Sequence, residues 1–290
     1  MRKKRYLLLY FIGIVTLTKA QNIQIISDTE IKQTVVNSAY YPVFKEDGSA
    51  LLFSTLNYQG LYLYSLLTES ASAISEEPGS GYEPVFENGN ILFKQDMRVQ
   101  GRRYKSLNQY NASNRSVIPL TPPLRYQKDL QSVRRKASVS RTKGNSVFVT
   151  TEDLKLVVYN NGLRKELAPI KEETGYIWPV LSPDKTKILF TAATKGTFVC
   201  DLNGVIISSL GDIEASCWYN NEYVVGMKTT DNGDHLLTSS LWMLSLDGKT
   251  NRQLTENSVK AMYPSVAVEK GVIAYNTFEG AIRIMKVTIR

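Results

Sequence analysis

The sequence predicts an all-β fold: a six-bladed β-propeller of four-stranded antiparallel blades. Three observations predict it. A proline lead-in recurs as Tyr41-Pro42, Glu83-Pro84, Trp178-Pro179 and Tyr263-Pro264, at spacings of 42, 95 and 85 residues, one period followed by two doubled ones. Runs rich in β-branched and aromatic residues follow these lead-ins at similar offsets. The chain also ends straight after a third strand, while a spare strand stands near its front.

Residues 1–20 are a separate element. Arg2, Lys3, Lys4 and Arg5 precede an apolar stretch from Tyr6 to Leu17, and Thr18-Lys19-Ala20 places small side chains where a signal peptidase needs them. The stretch is short of the ~20 apolar residues that span a bilayer. We read it as a signal peptide cut after Ala20, leaving residues 21–290 as one propeller domain without a stable membrane anchor, periplasmic or secreted. The chain carries a net charge of +8, of which the leader supplies five, leaving +3. Most of the basic character therefore belongs to the export signal, and nucleic acid is not an expected partner.

In the mature chain, "NIQIISDTEIKQ" (22–33) is the spare strand. Second strands read "ALLFST" (50–55), "NILFKQ" (90–95), "SVFVTT" (146–151), "KILFTA" (187–192), "YVVGMK" (223–228) and "GVIAYN" (271–276). Third strands read "LYLYSL", "YKSLNQYN", "LKLVVYNN", "TFVCDLNG", "LWMLSLDG" and "IRIMKV". Asn-Gly and Asp-Gly at 161–162, 203–204 and 247–248 mark tight turns into fourth strands. Fourth strands number five ("SASAIS", "SVIPLT", "LRKELA", "VIISSL", "NRQLT"), so the N-terminal strand completes the sixth blade and closes the ring. Blades three and five are degenerate and lack the proline lead-in.

The motif "PVLSPDKTKILFTA" resembles the P-x-x-S-P-D-G-x-x-I-x-F repeat of TolB-like propellers, and "PVFKEDGSALLFST" is similar. The resemblance covers the mature chain but not the α/β domain that full TolB proteins carry. It implies the fold and a role in protein–protein contact in a Gram-negative periplasm. The turn aspartates, Asp47 and Asp184, read as structural caps.

Residues just before each first-strand proline should face the channel mouth: Tyr41, Glu83, Trp178 and Tyr263, with Trp218 the nearest equivalent in blade five and Arg135, between Arg134 and Lys136, in blade three. Such an arc suits a peptide or a sugar ring. The same large residues would also serve as wedges between blades. The proline-rich, basic segment 115–137 is a second candidate surface. "TTDNGDHLLTSS" (229–240) reads as a polar strand-to-strand turn, not an EF-hand loop. Cys200 and Cys217 read as free thiols. One histidine, and the lack of G-x-S-x-G, H-E-x-x-H or a phosphate loop, argue against the common hydrolase and metalloenzyme classes. We expect a monomeric, non-catalytic scaffold with no cofactor and no metal, engaging an envelope protein, peptide or glycan. The alternative is a carbohydrate-active enzyme, a polysaccharide lyase or glycosidase, with its carboxylates on loops.

Overall fold

The computed structural model describes residues 22–125 and 147–290, which form the six sheets of a β-propeller. After the N-terminal β1 (Ile23–Glu30), blade one runs outward from the axis as β2 (Tyr40–Phe44), β3 (Ala50–Ser54), β4 (Gln59–Ser65) and β5 (Ser70–Pro78). Blade two is β6 (Val85–Glu87), β7 (Asn90–Val99), β8 (Arg102–Asn111) and β9 (Ser116–Pro119). Blade three shows β10 (Val147–Glu152), β11 (Lys155–Asn160) and β12 (Leu163–Leu167). Blade four is β13 (Tyr176–Leu181), β14 (Lys187–Ala192), β15 (Gly196–Asp201) and β16 (Ile206–Gly211). Blade five is β17 (Glu214–Trp218), β18 (Tyr223–Asp231), β19 (Leu236–Ser245) and β20 (Asn251–Gln253). Blade six is β21 (Met262–Ala267), β22 (Val272–Asn276) and β23 (Ile282–Ile289), completed by β1.

The predicted closure is present. β1 pairs antiparallel with β23 from Ile23↔Ile289 to Glu30↔Arg283, and Asn22 and Arg290 exchange backbone bonds of 2.8 and 3.0 Å. At this seam Asp28 accepts from the Tyr275 hydroxyl at 2.7 Å and from Arg283 Nε at 3.1 Å, while Arg283 Nη2 donates to the Asp28 carbonyl at 2.9 Å. The expected leader and the basic triplet Arg134, Arg135 and Lys136 lie outside the described residues, as does most of segment 115–137. Among the described residues no helix is long and apolar enough to cross a membrane.

Apolar side chains pack between neighbouring sheets. Leu51, Phe53 and Tyr62 of blade one meet Ala267, Ala274 and Ile282 of blade six. Leu189 and Val199 of blade four meet Trp218, Val224 and Leu244 of blade five. Among the described residues, apolar clusters of this kind join blades three to four, four to five, five to six, six to one and one to two. The tight turns are held by aspartates as expected: Asp47 Oδ1 accepts from Ser49 N at 2.9 Å, and Asp184 Oδ1 from Thr186 N at 3.0 Å.

Two second-to-third strand hairpins exceed the predicted lengths. In blade two β7 and β8 pair from Asn90↔Asn111 out to Val99↔Arg102, and in blade five β18 and β19 pair from Tyr223↔Ser245 out to Asp231↔Leu236. Their outer halves are largely exposed and richer in polar and charged residues, with Met97, Val99 and Leu237 the apolar exceptions, so the continuous apolar run that located the strands stops before the ladder does.

Candidate functional site

Successive strands of a blade alternate in direction. The residue ahead of each innermost strand and the connection between second and third strands therefore share one face of the ring. In the innermost strands the ladder breaks at one place: β2 pairs Tyr40↔Ser54 and then Val43↔Leu52, β13 Ile177↔Thr191 and then Val180↔Leu189, β21 Met262↔Asn276 and then Ser265↔Ala274. Proline has no N–H to offer the ladder, so Pro42, Pro179 and Pro264 sit in these bulges, while Pro84 stands just ahead of β6. The residue before each proline is left-handed: Tyr41 (φ 56°), Glu83 (φ 50°), Trp178 (φ 53°) and Tyr263 (φ 51°). Non-glycine residues in this region carry a cost on the order of 1 kcal/mol or more each, and such strain concentrates at working sites.

Blade five corrects the sequence reading. The bulge of β17 lies between Glu214↔Met227 and Cys217↔Val225, so the left-handed position is Ala215 (φ 45°), three residues before Trp218. Trp218 is 4% exposed in the core between blades four and five, and its Nε1 donates to the Val180 carbonyl at 3.1 Å. With no proline to mark the bulge, the nearest large aromatic gave the wrong register.

The structure brings Tyr41 and Tyr263 together and adds two rings that the sequence reading missed. Tyr41 and Tyr58 stack at 4.2 Å, Tyr263 meets Tyr41 edge-on at 4.9 Å, and Tyr82 meets Tyr58 edge-on at 5.0 Å. Tyr40 adjoins Tyr41 at 6.0 Å, and its hydroxyl donates to the Phe278 carbonyl at 3.4 Å. An aromatic arc thus crosses blades six, one and two. Lysines flank both ends, Lys260 Nζ at 5.1 Å from the Phe278 ring, and Lys94 and Lys105 Nζ at 5.3 and 5.9 Å from Tyr82. Glu83 lies beside the second end, its Oε2 3.8 Å from Lys94 Nζ. Trp178, in blade four, two blades from either end of the arc and 59% exposed, makes no ring contact with it.

Tyr58 sits in the β3–β4 connection, where Asn57 (φ 57°) and Tyr58 (φ 59°) are both left-handed. That geometry suits Asn-Gly; a tyrosine at the second position is strained. The alternation of strand directions was the available signal for it, since this connection must share the mouth with Tyr41. Burial, followed by the neighbouring Tyr58, Tyr263 and Tyr40, pushes the Tyr41 hydroxyl up to about 12. Burial also raises those of Tyr58, Tyr82 and Tyr263.

Near the axis a cavity of about 770 Å³ is lined by Phe148, Pro179, Val180, Cys217, Trp218 and Glu269, among others. Cys200 and Cys217 are free, as expected. Burial pushes both thiols up to about 12, and Cys217 donates to the Pro264 carbonyl at 3.4 Å. The 231–236 turn is closed by its own side chains: Asp231 Oδ1 accepts from Gly233 N, and Asn232 Oδ1 from His235 N.

No protein-family profile matches the sequence, and no curated protein matches it. Among solved structures the chain is similar to TolB from Acinetobacter baumannii, at 19% identity over 78% of this chain, with a TM-score of 0.49. It spans 56% of the length of that TolB chain. An oligogalacturonate lyase in complex with manganese is similar at 10% identity, over 88% of this chain and 79% of the other, with a TM-score of 0.48. A chain of a mitotic checkpoint complex is similar at 9% identity, over 99% and 98% of the two, with a TM-score of 0.51. At such identities the shared property is the fold: this chain is a six-bladed β-propeller.

Proposed function

We propose that the protein is an exported, non-catalytic binding scaffold that holds an envelope protein or an extended peptide at the channel mouth. The observation that carries this reading is the aromatic arc of Tyr263, Tyr40, Tyr41, Tyr58 and Tyr82, with Tyr41, Tyr58 and Tyr263 on strained backbone and the whole fixed by a closed ring. Tyrosines are enriched where proteins meet proteins, and rings already held in place lose little entropy on contact. The sequence resemblance to TolB-like propellers points the same way. A glycan platform needs open aromatic planes. Here one face of Tyr41 and one of Tyr58 are turned on each other, which favours a polypeptide partner. Trp178 is the one feature that favours a glycan, because its ring stands exposed.

The reading is tested by pull-down from envelope extract, paired with thermal-shift screening against envelope oligosaccharides. A ligand that binds only the folded state raises the melting midpoint. The scaffold reading expects a retained protein that Tyr41→Ala or Tyr263→Ala releases. A sugar-induced shift lost in Trp178→Ala, with no protein retained, would replace it with the carbohydrate reading.

A further inference from the structure

The hairpin of blade two outreaches the strand beside it. β6 pairs with β7 only from Glu87↔Asn90 to Val85↔Leu92, whereas β7 runs on to Val99. Glu83 and Tyr82 border β7 as far as Lys94, and at about 3.4 Å per residue roughly 17 Å of β7 lies beyond them. Gln100 (φ 51°) and Gly101 (φ 74°) form the two-residue turn at its tip, so Val99 and Arg102 face each other as a hydrogen-bonded pair. Bonding alternates along an antiparallel ladder. Asp96 and Arg98 therefore direct their backbone N–H and C=O away from β8. The opposite edge verifies this phase: Lys105, which faces Asp96, turns its backbone outward and exchanges two bonds of 2.9 Å with Leu124. Among the described residues no strand pairs with this edge of β7 at Asp96 and Arg98, while Gly79, just after β5, lies against the Asp96 carboxyl and leaves Arg98 the open end.

The same hairpin is strongly basic. Between Lys94 and Lys105 the sequence holds five bases and one acid. That acid, Asp96, is already engaged by Arg103 and lies 3.7 Å from Lys105. Arg98 stands directly opposite Arg103, a like-charged cross-strand pair that disfavours the isolated hairpin. Arg98 and Arg102 are exposed, with no ion-pair partner among the described residues. The inner neighbour of this hairpin is Tyr82, the end of the aromatic arc.

We propose that the free edge of β7 at Asp96–Val99 takes an acidic polypeptide segment as an added antiparallel strand. Backbone bonds to Asp96 and Arg98 would hold the segment, and its carboxylates would answer Arg98, Arg102 and Arg103. The proposal rests on the scaffold reading and names the chemistry of the partner: an extended, carboxylate-rich stretch passing from the hairpin onto the arc.

The test uses the purified protein and a capped short peptide of alternating glutamate and valine, with binding read by fluorescence anisotropy. Three comparisons follow: the same peptide with lysine for glutamate, one N-methylated on alternate amides, and phosphatidylcholine vesicles doped with phosphatidylglycerol. The acidic peptide should bind about tenfold or more tightly than its lysine counterpart, and the double variant Arg98→Glu/Arg102→Glu should erase that preference. N-methylation should abolish binding. Equal affinity for both peptides, undiminished binding of the N-methylated form, or charge-dependent binding to vesicles alone would each overturn the proposal. Both substitutions are exposed and far-UV circular dichroism verifies the fold. Because Tyr41→Ala leaves the hairpin intact, loss of a mouth partner in that variant with peptide binding unchanged supports both readings, whereas loss of that partner with no peptide binding even in the unsubstituted protein overturns this proposal alone.

Discussion

Tyr41 and Tyr58 stack at 4.2 Å with their planes inclined by 28°, and both residues sit on left-handed backbone. The contact ties the bulge of an innermost strand to the neighbouring connection of the same blade. It also sets strain against ring packing. An aromatic pair is worth ~0.5–1.5 kcal/mol beyond its buried area, and a left-handed tyrosine costs about 1–2 kcal/mol. The usual ranking of small substitutions should therefore invert at position 58. Tyr58→Gly should be more stable than Tyr58→Ala by about 1 kcal/mol in urea denaturation, because glycine accepts φ 59° freely. Alanine proving the more stable would show that the turn relaxes once the ring is gone.

The seam gives a second prediction. Tyr275 is wholly buried, and Asp28 accepts its hydroxyl proton. Asp28→Ala removes the carboxylate that accepts from that hydroxyl and from Arg283 Nε, at a cost of about 1–3 kcal/mol, while Arg283 Nη2 keeps its bond to the backbone carbonyl of residue 28. Because β1 closes the ring, the loss should appear as a lower midpoint of a single transition, not as early fraying of blade six. Amide exchange along β23 and along β4, distant in sequence, should accelerate together.

Acid should unfold the protein through its turn aspartates. A hydrogen bond from Ser245 Oγ, then one from Lys249 N, holds the Asp247 carboxyl down at about 2, and hydrogen bonds from Lys45 and Ser49 hold that of Asp47 lower still. A carboxylate depressed in the folded state stabilises at every pH above its unfolded value, near 3.9, and that stability is lost as the pH falls towards the folded value. The melting midpoint should therefore be flat above about pH 5 and decline between about pH 4 and 2. Asp247→Asn and Asp47→Asn should each flatten the decline.

The thiols should be silent until the fold opens. With both pushed up to about 12, neither Cys200 nor Cys217 offers thiolate at neutral pH. Ellman's reagent should find no reactive thiol in the native protein and two in guanidinium chloride. None after unfolding would mean a disulfide.

Much of this was legible in the sequence, because a propeller repeats. The period of the proline lead-ins located the blades, and the deficit of one fourth strand located the closure. The mouth was legible only where proline marked the bulge. Tyr41, Glu83, Trp178 and Tyr263 were placed by it, whereas Ala215 was hidden behind Trp218. Tyr58 and Tyr82 belong to connections, whose side chains meet across space without a sequence period. The long hairpins of blades two and five escaped because their outer ladders are exposed and lack the dense apolar run of the inner halves.

The central claim, that the arc at the mouth receives a polypeptide, is tested most directly by photo-crosslinking in intact cells. A benzoyl-phenylalanine would replace Tyr58 at the mouth, or Leu67, which is 91% exposed on a turn of the opposite face. A discrete protein adduct is expected from position 58 and none from position 67. Equal adducts from both positions, or none from position 58, would contradict that claim.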